Sequence, residues 1–308
     1  VLRALDGVSF DIAPGEVLGM VGESGAGKSI TGAAIIGLIE PPGRIVSGEI
    51  RLAGERIDNL QPEAMRRIRG KRIGMVFQDP LTSLNPLYTV AQQLIETVRA
   101  HLDMTEKEAR AHAVGLLDRV GIPAAARRID DYPHHFSGGM RQRVVIALAL
   151  AAEPELVIAD EPTTALDVSV QSQIIDVLKE ICAERGAAVM LITHDMGVIA
   201  ETADRVAVLY AGRMAEIGPV SEVILKARHP YTSGLMASIP TLVQDTDRLV
   251  QIPGTMPRLN AIPSGCAFNP RCEHAFDKCL TDRPPLIDAG PRHAAACWLA
   301  EEETQNDR

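Results

Sequence analysis

Short runs of apolar residues, separated by longer stretches with helical periodicity, are the main pattern along this chain. Residues 5–21 alternate apolar and polar positions around a turn at Pro14-Gly15, which predicts two strands, the second of which runs into a glycine-rich loop. From Ser29 to Ile39 the spacing of apolar residues becomes helical. The beginning of the chain is therefore predicted to form two strands, a loop and a helix.

Further strands are predicted, and the buried ones are short, continuous apolar runs such as LVIAD and AAVMLIT, which are typical of strands covered on both faces. They lie at residues 48–53, 72–77, 155–160, 187–193 and 205–210. Because helical stretches separate most of them, the core is predicted to be an α/β fold with a largely parallel sheet and helices on both faces. No strand pattern occurs at about 89–150, where we expect an inserted helical subdomain.

The chain changes character beyond Pro219. Proline is frequent in this region, and it contains four of the five cysteines. We therefore predict a main α/β domain over residues 1–218 and an irregular, cysteine-rich C-terminal extension over residues 219–308. A chain of 308 residues is long enough to bury the core of such a domain without disulfides.

Composition and charge argue against two classes of protein. The chain has 46% hydrophobic residues, but no apolar run reaches the roughly 18–20 residues that span a bilayer, so other subunits would have to anchor it to a membrane. Its 31 basic and 40 acidic side chains give a net charge of −9, which is unfavourable for binding a nucleic-acid backbone. Since strand-like sequence follows at once from Val1, we expect the natural N-terminus to lie upstream.

A glycine-rich loop between the second predicted strand and the following helix is the clearest chemical signal. Residues 22–29 read GESGAGKS and fit the P-loop pattern G-x-x-x-x-G-K-S. In such a loop backbone N–H groups surround phosphate oxygens, Lys28 reaches the terminal phosphates and Ser29 binds Mg²⁺. The residues predicted to bind nucleotide here are Gly22, Ser24, Gly25, Ala26, Gly27, Lys28, Ser29 and Ile30.

Two carboxylates, Asp160 and Glu161, stand at the end of the apolar run LVIAD. Ligands of open α/β sheets bind at the carboxyl ends of parallel strands. We predict that Asp160 holds Mg²⁺ beside the nucleotide and that Glu161 polarises the water that attacks the γ-phosphate. Together with the P-loop, this pair also fits a GTPase, a helicase or a metabolic kinase.

The segment that distinguishes these classes is FSGGMRQR, at residues 136–143, which opens a helix just before the Asp160 strand. Ser137 is a suitable N-cap, and Gly138 and Gly139 let the backbone approach an anion. The P-loop already holds the nucleotide of its own subunit. A second phosphate-binding helix start therefore makes sense if it contacts a nucleotide held by another subunit.

This series of motifs resembles the nucleotide-binding subunits of ABC transporters, whose signature LSGGQ stands here as FSGGM. The resemblance implies a P-loop NTPase fold of the ABC type, ATP as the nucleotide, and a dimer in which residues 137–139 contact the partner's ATP. It further implies that Gln78 in VFQDP is the Q-loop residue, which contacts Mg²⁺ or water and senses the transmembrane partner. Ala165 to Asp167 resemble the D-loop, and His194 in LITHD resembles the histidine that contacts γ-phosphate. Met140 replaces the signature glutamine and is given no site role.

The resemblance narrows to the dipeptide and oligopeptide permease branch through residues 77–86, 160–168 and 229–240, which read FQDPLTSLNP, DEPTTALDV and HPYTSGLMASIP. It implies an ATP-hydrolysing subunit that energises the import of di- or oligopeptides, with nickel or another small solute as the alternative. The implied partners are two transmembrane permease subunits, a second ABC ATPase and an extracytoplasmic solute-binding protein. The implied location is peripheral, at the cytoplasmic face of the bacterial inner membrane.

Two other interpretations stay open. One is a soluble ABC ATPase that acts on ribosomes or DNA, although the net charge of −9 and the presence of one cassette without a long coiled-coil insertion are unfavourable for it. The other is a regulatory subunit with a degenerate site in a heterodimer. The complete set of P-loop, Gln78, Asp160, Glu161 and His194 favours a competent half-site instead.

The four C-terminal cysteines, Cys266, Cys272, Cys279 and Cys297, are spaced more widely than the pairs usual for structural zinc. Because disulfides are disfavoured in a reducing cytosol, a metal held by thiolates is predicted, either Zn²⁺ or a [4Fe–4S] cluster. Members of the resembled branch with this cysteine pattern are similar in binding a [4Fe–4S] cluster, which implies the cluster here, with zinc or no metal as alternatives. Cys182, in a predicted helix, is expected to be a small core residue.

Overall fold

The computed structural model describes residues 2–163, 168–238 and 251–301 of the chain. Its strands are β1 (Val17–Val21), β2 (Arg51–Leu52), β3 (Glu55–Arg56), β4 (Ile73–Val76), β5 (Leu156–Asp160), β6 (Ala188–Ile192), β7 (Arg205–Tyr210), β8 (Arg213–Pro219), β9 (Ile287–Gly290) and β10 (His293–Ala295). Its helices are α1 (Lys28–Ile35), α2 (Pro62–Ile68), α3 (Pro80–Ser83), α4 (Val90–His101), α5 (Glu106–Arg119), α6 (Ala125–Arg128), α7 (Gly138–Leu150), α8 (Val168–Arg185), α9 (Met196–Thr202), α10 (Val220–Leu225), α11 (Pro230–Ala237) and α12 (Asp277–Thr281). Single 3₁₀ turns lie at Pro133–His135 and Asn269–Arg271.

The chain packs as two units. The P-loop unit comprises residues 1–11, 18–31 and 193–308. The carboxylate unit, named after Asp160 and Glu161, comprises residues 12–17 and 32–192. Within the described ranges of both units, every helix is too short or too polar to cross a lipid bilayer.

Three parallel strands in the order β4-β5-β6 form the sheet of the carboxylate unit. Every residue of β5 and β6 is buried, as expected for continuous apolar runs covered on both faces. The register between these strands ends with Asp160 opposite Ile192, so Asp160 lies at the carboxyl edge of the sheet. Helix α7 packs so closely on β4 that a Cβ atom at Gly74 would lie 2.2 Å from the carbonyl oxygen of Ala149.

Helices α4 to α7 and one 3₁₀ turn occupy residues 89–150, which are described throughout and contain no strand. Helix α4 begins with a capping box, in which Thr89 and Gln92 exchange hydrogen bonds between their side chains and backbone N–H groups. Thr105 and Glu108 form the same arrangement at the start of α5. These bonds satisfy N–H groups that have no partner within the helix, so both helices begin at signals that are local in the sequence.

Five strands in the order β1-β7-β8-β10-β9 form the sheet of the P-loop unit. Among these strands β1 and β7 are parallel, and the other neighbours are antiparallel. The turn between β7 and β8 consists of Ala211 and Gly212, with φ angles of +48° and +75°. Two-residue turns with positive φ at both positions join antiparallel strands. The prediction of a largely parallel sheet is therefore correct for the carboxylate unit and wrong for this unit.

The strand predicted before Pro14 is also wrong, because residues 2–16 form none. The start of this segment is attached to the rest of the P-loop unit through hydrogen bonds of Asp6. Its N–H donates to the carbonyl oxygen of Gly212 at 2.8 Å, and its carboxylate accepts from Arg213 at 3.1 Å and Arg283 at 3.0 Å. Alternation of apolar and polar residues indicates two faces, but a strand also needs a hydrogen-bonded neighbour, which the sequence pattern does not reveal.

Three smaller differences between the structure and the sequence predictions concern the ends of elements and the C-terminal region. Helix α1 ends at Ile35 rather than Ile39. The strand predicted at 48–53 is the two-residue β2, paired with β3 in a hairpin. Strands β9 and β10 lie within the region predicted to be irregular, and β10 extends the sheet beside β8.

Candidate nucleotide-binding site

The P-loop joins the carboxyl end of β1 to helix α1. Its first residue, Gly22, has a φ of +148°, and a Cβ atom there would lie 2.3 Å from the carbonyl oxygen of Leu209 in β7. Only glycine therefore lets the loop leave β1 this close to the neighbouring strand. Lys28 is 6% exposed, and its Nζ donates to the carbonyl oxygens of Gly22 at 2.7 Å and Glu23 at 3.2 Å. The ammonium group thus lies inside the loop, where phosphate binds in P-loop proteins.

The other predicted P-loop residues divide into an attached and an exposed group. Ala26 is buried, and its carbonyl oxygen accepts from the N–H of Gly212 at 2.9 Å. Gly27 and Ile30 are partly buried. The exposed residues are Ser24, Gly25 and Ser29. One side of the loop is therefore fixed to the P-loop unit while the other side faces solvent, as binding of a soluble nucleotide requires.

Asp160 and Glu161 stand where strand β5 ends. Asp160 is its last residue and is 6% exposed. Glu161 has a φ of +45°, and its N–H donates to the carbonyl oxygen of Ile192 at 2.8 Å. A positive φ is uncommon for a residue other than glycine, and such strained residues cluster at functional sites. The catalytic role of Glu161 stays a prediction.

Gln78 lies two residues beyond strand β4 and contacts this edge. Its Nε2 donates to Oε2 of Glu161 at 2.8 Å, although the two residues are 83 positions apart. The orientation of the Glu161 carboxylate therefore depends on the position of the loop that carries Gln78. The role of Gln78 as a sensor of the transmembrane partner stays a prediction.

His194 is exposed and lies in the P-loop unit, immediately after the strand β6 sequence. The residues on both sides of it are fixed. The N–H of Thr193 donates to the carbonyl oxygen of Met20 in β1 at 3.2 Å. Asp195 caps helix α9 by accepting from the N–H groups of Gly197 and Val198. Strand β1 leads into the P-loop, so the backbone on which His194 lies is attached to the strand that ends in that loop.

Ser137 is the N-cap of helix α7, in agreement with the sequence prediction. Its hydroxyl accepts from the N–H of Met140 at 3.4 Å, and Gly138 and Gly139 form the first turn of the helix. Ser137 is exposed. The helix start is therefore directed to solvent in this chain, as it should be if it contacts a nucleotide held elsewhere.

Arg128 contacts both residues that depart from the LSGGQ pattern. Its guanidinium lies 4.5 Å from the ring centroid of Phe136, which is 4% exposed, and its Nη1 donates to Sδ of Met140 at 3.4 Å. A large aromatic ring and a polarisable sulfur thus pack against the same cation. Sequence reasoning missed Arg128, because nothing in its local pattern indicates contact with residues 8 and 12 positions away.

The four C-terminal cysteines converge in the P-loop unit. Cys266, Cys272, Cys279 and Cys297 line one small cavity of about 10 Å³. Burial, with neighbouring thiols as a further cause, raises the pKa of Cys266 above its usual value and that of Cys297 to about 11. In the described part of the chain, no group of three or more His, Cys, Asp or Glu side chains is arranged to hold a metal ion. The thiols therefore supply suitable donor atoms near one another, without forming a ligand set in this arrangement.

Two further sequence predictions remain to be placed. Cys182 is 2% exposed, and burial raises the pKa of its thiol to about 12, which confirms it as an unreactive core residue. The segment predicted to be the D-loop, residues 165–167, lies outside the described residues.

Comparison with protein families gives two matches along the chain. Residues 5–164 match the model described as ABC transporter. Residues 215–279 match the model described as oligopeptide/dipeptide transporter, C-terminal region. The first match contains the P-loop, Gln78, Ser137 and Glu161, and the second contains three of the four C-terminal cysteines.

Curated relatives match nearly the whole chain. The oligopeptide transport ATP-binding protein AppD of Bacillus subtilis is 46% identical over 303 residues, covering 98% of this chain and 92% of the relative. A putative peptide import ATP-binding protein of Brucella melitensis is 49% identical over 306 residues, covering 96% and 90%.

Solved structures show the same fold. A dimeric post-hydrolysis structure of the ATP-binding cassette MJ0796, bound to ADP and Pi, is 30% identical with a TM-score of 0.63, covering 70% of this chain and 90% of the other. The cbiO1 structure from Clostridium perfringens, part of the ABC transporter complex cbiONQ, is 32% identical with a TM-score of 0.64, covering 72% and 84%. The fold is therefore that of an ABC ATPase cassette, α/β with a mixed sheet. With its P-loop, its signature helix and these matches, the chain belongs to the ABC transporter family, as an ATP-binding subunit that carries the oligopeptide/dipeptide transporter C-terminal region.

Proposed function

We propose that this chain hydrolyses ATP to drive the import of di- or oligopeptides. The observation that carries the proposal is the contact between Gln78 and Glu161, which holds the predicted catalytic carboxylate at the end of β5. The names of the Bacillus subtilis and Brucella melitensis relatives support peptides as the solute. Nickel or another small solute is the alternative cargo.

Each site residue has a role in this proposal. Gly22 and residues 24–30 bind the phosphates, and Lys28 compensates their charge from inside the loop. Glu161 accepts a proton from the attacking water, with Gln78 orienting its carboxylate, and His194 contacts the γ-phosphate.

Three residues are the proposed ligands of a magnesium ion. Ser29, Asp160 and Gln78 carry oxygen atoms, the ligand type that Mg²⁺ prefers. When bound, Mg²⁺ neutralises negative charge on the phosphates.

The functional unit in this proposal is a dimer of ABC ATPases. Ser137, Gly138 and Gly139 contact the ATP that the second ATPase holds on its own P-loop. The exposure of Ser137 at the start of α7 supports this role. Two transmembrane permease subunits receive the motion through the Gln78 loop, an extracytoplasmic solute-binding protein delivers the peptide, and the chain lies peripherally at the cytoplasmic face of the bacterial inner membrane.

The proposed division of labour assigns residues 1–218 to the nucleotide-binding domain and residues 219–308 to the C-terminal extension. Within the first domain, the helices at 89–150 form the helical subdomain that carries Ser137. Within the extension, Cys266, Cys272, Cys279 and Cys297 hold a [4Fe–4S] cluster, with zinc as the alternative. The convergence of the four thiols on one cavity supports a thiolate-bound metal.

The transport proposal is tested by reconstituting the chain with its permease and ATPase partners in lipid vesicles and measuring uptake of labelled dipeptides and oligopeptides. ATP-dependent peptide uptake that disappears in Lys28→Ala supports it. Uptake of Ni²⁺ rather than peptide would identify nickel as the transported solute. Co-purification with ribosomes or DNA rather than with permeases would reject the transport role.

The metal proposal is tested by elemental analysis of protein purified without oxygen. About four iron atoms per chain and absorbance near about 400 nm, both lost in Cys266→Ser, support the cluster. One zinc atom per chain with no iron would establish the alternative, and neither metal would reject the proposal.

A further inference from the structure

Glu23, the second residue of the P-loop, is held through its backbone and its side chain. Its N–H donates to the hydroxyl oxygen of Tyr231 at 2.8 Å, and its carbonyl oxygen accepts from Nζ of Lys28 at 3.2 Å. Its two carboxylate oxygens accept from Nη1 and Nη2 of Arg271, both at 2.9 Å. Tyr231 and Arg271 are 208 and 248 positions from Glu23, so residues of the C-terminal region determine the position of this part of the loop.

The guanidinium of Arg271 is fully engaged. Besides Glu23, it donates to the carbonyl oxygens of Pro253 at 2.7 Å and Ile252 at 3.4 Å and to the hydroxyl of Tyr210 at 3.3 Å. These bonds occupy all five N–H donors of an arginine. With a side chain that is only 6% exposed, Arg271 is a fixed element rather than a mobile surface cation.

An aromatic cluster anchors the segment that carries Arg271. The ring of Phe268 packs on Tyr210 and Tyr231 with centroid distances of 5.3 and 5.4 Å, and Tyr210 and Tyr231 are 4.6 Å apart. Phe268 is 4% and Tyr231 0% exposed. Buried aromatic contacts of this kind stabilise one arrangement of the chain. The segment that carries Arg271 is thereby docked against strand β7 and helix α11 of the same unit.

Charge gives Arg271 a second effect. Glu23 places a carboxylate within the loop whose N–H groups surround phosphates, and like charges at short distance repel one another strongly when partly shielded from water. The bidentate contact with Arg271 neutralises this carboxylate and directs its oxygens toward the guanidinium. The loop can then present its N–H groups and Lys28 to the nucleotide without an opposing negative charge.

We infer that Arg271 is a positioning residue for ATP binding, which holds Glu23 and with it the P-loop in the conformation that accepts phosphate. The C-terminal region thereby contributes to nucleotide affinity, although Arg271 itself does not touch the substrate. This inference rests on the proposed function to the extent that ATP is the ligand of this loop.

The experiment measures ATP affinity of the isolated full chain by calorimetry, and KM and kcat of ATP hydrolysis with the partner subunits present. Arg271→Ala should weaken ATP binding and raise KM about tenfold while kcat at saturating ATP stays within about twofold, because the charge-assisted contact acts on the loop before chemistry. Arg271→Lys, which keeps the charge but loses the bidentate geometry, should lie between wild type and Arg271→Ala.

Adding Glu23→Gln to Arg271→Ala tests whether the lost affinity comes from the Glu23 carboxylate that Arg271 no longer neutralises and holds. A general loss of structure would not be repaired by this second substitution. The double variant should recover most of the lost affinity, since it removes the carboxylate that Arg271 neutralises. Lys278→Ala is the matched control, because Lys278 also precedes a cysteine. It pairs with Glu301 at 3.2 Å and lies 3.5 Å from the ring centroid of Trp298, and neither of these two residues belongs to the P-loop. It should bind ATP as wild type does.

The inference is overturned if Arg271→Ala binds ATP with wild-type affinity, or if Glu23→Gln restores nothing. Equal weakening in Lys278→Ala would also overturn it, because the effect would then belong to the whole segment. Failure of the proposed function looks different, since the wild-type chain itself would neither bind nor hydrolyse ATP.

Discussion

The P-loop and the start of helix α7 are both expected to contact phosphate, yet they are held in different ways. The P-loop depends on residues far away in the sequence. The carbonyl oxygen of Leu209 leaves no room for a Cβ atom at Gly22, and Arg271 binds the carboxylate of Glu23. The start of α7 depends on residues closer in the sequence, with Ser137 bonded to Met140 and Arg128 in contact with Phe136 and Met140. The loop expected to enclose a nucleotide is thus stabilised by distant residues, whereas the helix start that we propose contacts the partner's nucleotide is stabilised within residues 128–140.

The largest expected effect concerns Glu161, which, like the P-loop, is held by a residue distant in the sequence. Glu161→Gln should lower the rate of ATP hydrolysis by about 10²–10⁴-fold while ATP binding persists, because the amide cannot accept the proton from water. The measurement is steady-state ATPase activity with partner subunits, accompanied by nucleotide binding. Glu153→Gln is a matched control, since Glu153 also has a positive φ, +57°, and lies in the same unit. Near wild-type turnover in Glu161→Gln would exclude it as the base.

A second prediction uses pH to weaken the contacts that hold the P-loop. The hydroxyl of Tyr231 accepts from the N–H of Glu23 in this loop, and His229 contacts Tyr231. Burial lowers the pKa of His229 to about 4, and its Nδ1 accepts from the N–H of Tyr231 at 3.0 Å. Between pH 6.5 and 4 the unfolded chain binds a proton at this histidine that the folded chain does not. The free energy of unfolding should therefore fall as the pH decreases through this window, by about 3 kcal/mol at most from this group.

Denaturant unfolding between pH 7 and 4.5 measures this slope. His229→Asn, which offers an oxygen to the Tyr231 N–H but does not titrate, should show a shallower slope than wild type. His134→Asn, at an exposed position near the start of α7, should show the wild-type slope. Hydrogen exchange at pH 5 should increase in the P-loop more than in α7. An unchanged slope in His229→Asn would contradict the assignment.

The smallest expected effect concerns the start of helix α7, which is held by residues close in the sequence. Ser137→Ala removes the N-cap of α7 and should lower the free energy of unfolding by about 1 kcal/mol, with ATP affinity of the isolated chain unchanged. Ser137→Asp keeps a capping oxygen and should retain the stability of the wild type. Its charge should nevertheless reduce ATPase activity in the assembled transporter, since it would face the partner's phosphates. Full activity in Ser137→Asp would reject the phosphate role of this helix start.

The sequence by itself determined the elements whose signals are local. The apolar runs predicted β5 and β6, and the glycines and Lys28 identified the P-loop without reference to any neighbour. Ser137 was recognisable as an N-cap because capping involves only residues within one helical turn. The parallel direction of β4, β5 and β6 was predicted from the helices between them, whereas their order in the sheet was not.

Only the tertiary structure decided which distant residues meet. The contact of Gln78 with Glu161 joins positions 83 residues apart, and the contact of Arg271 with Glu23 joins positions 248 residues apart. The antiparallel pairing of β10 with β8 also joins distant segments. Such contacts arise from packing of whole segments, and a local pattern contains no information about which segment will be the neighbour. The P-loop is therefore evident in the sequence, while the residues that hold it in shape become visible only after the C-terminal region has folded against it.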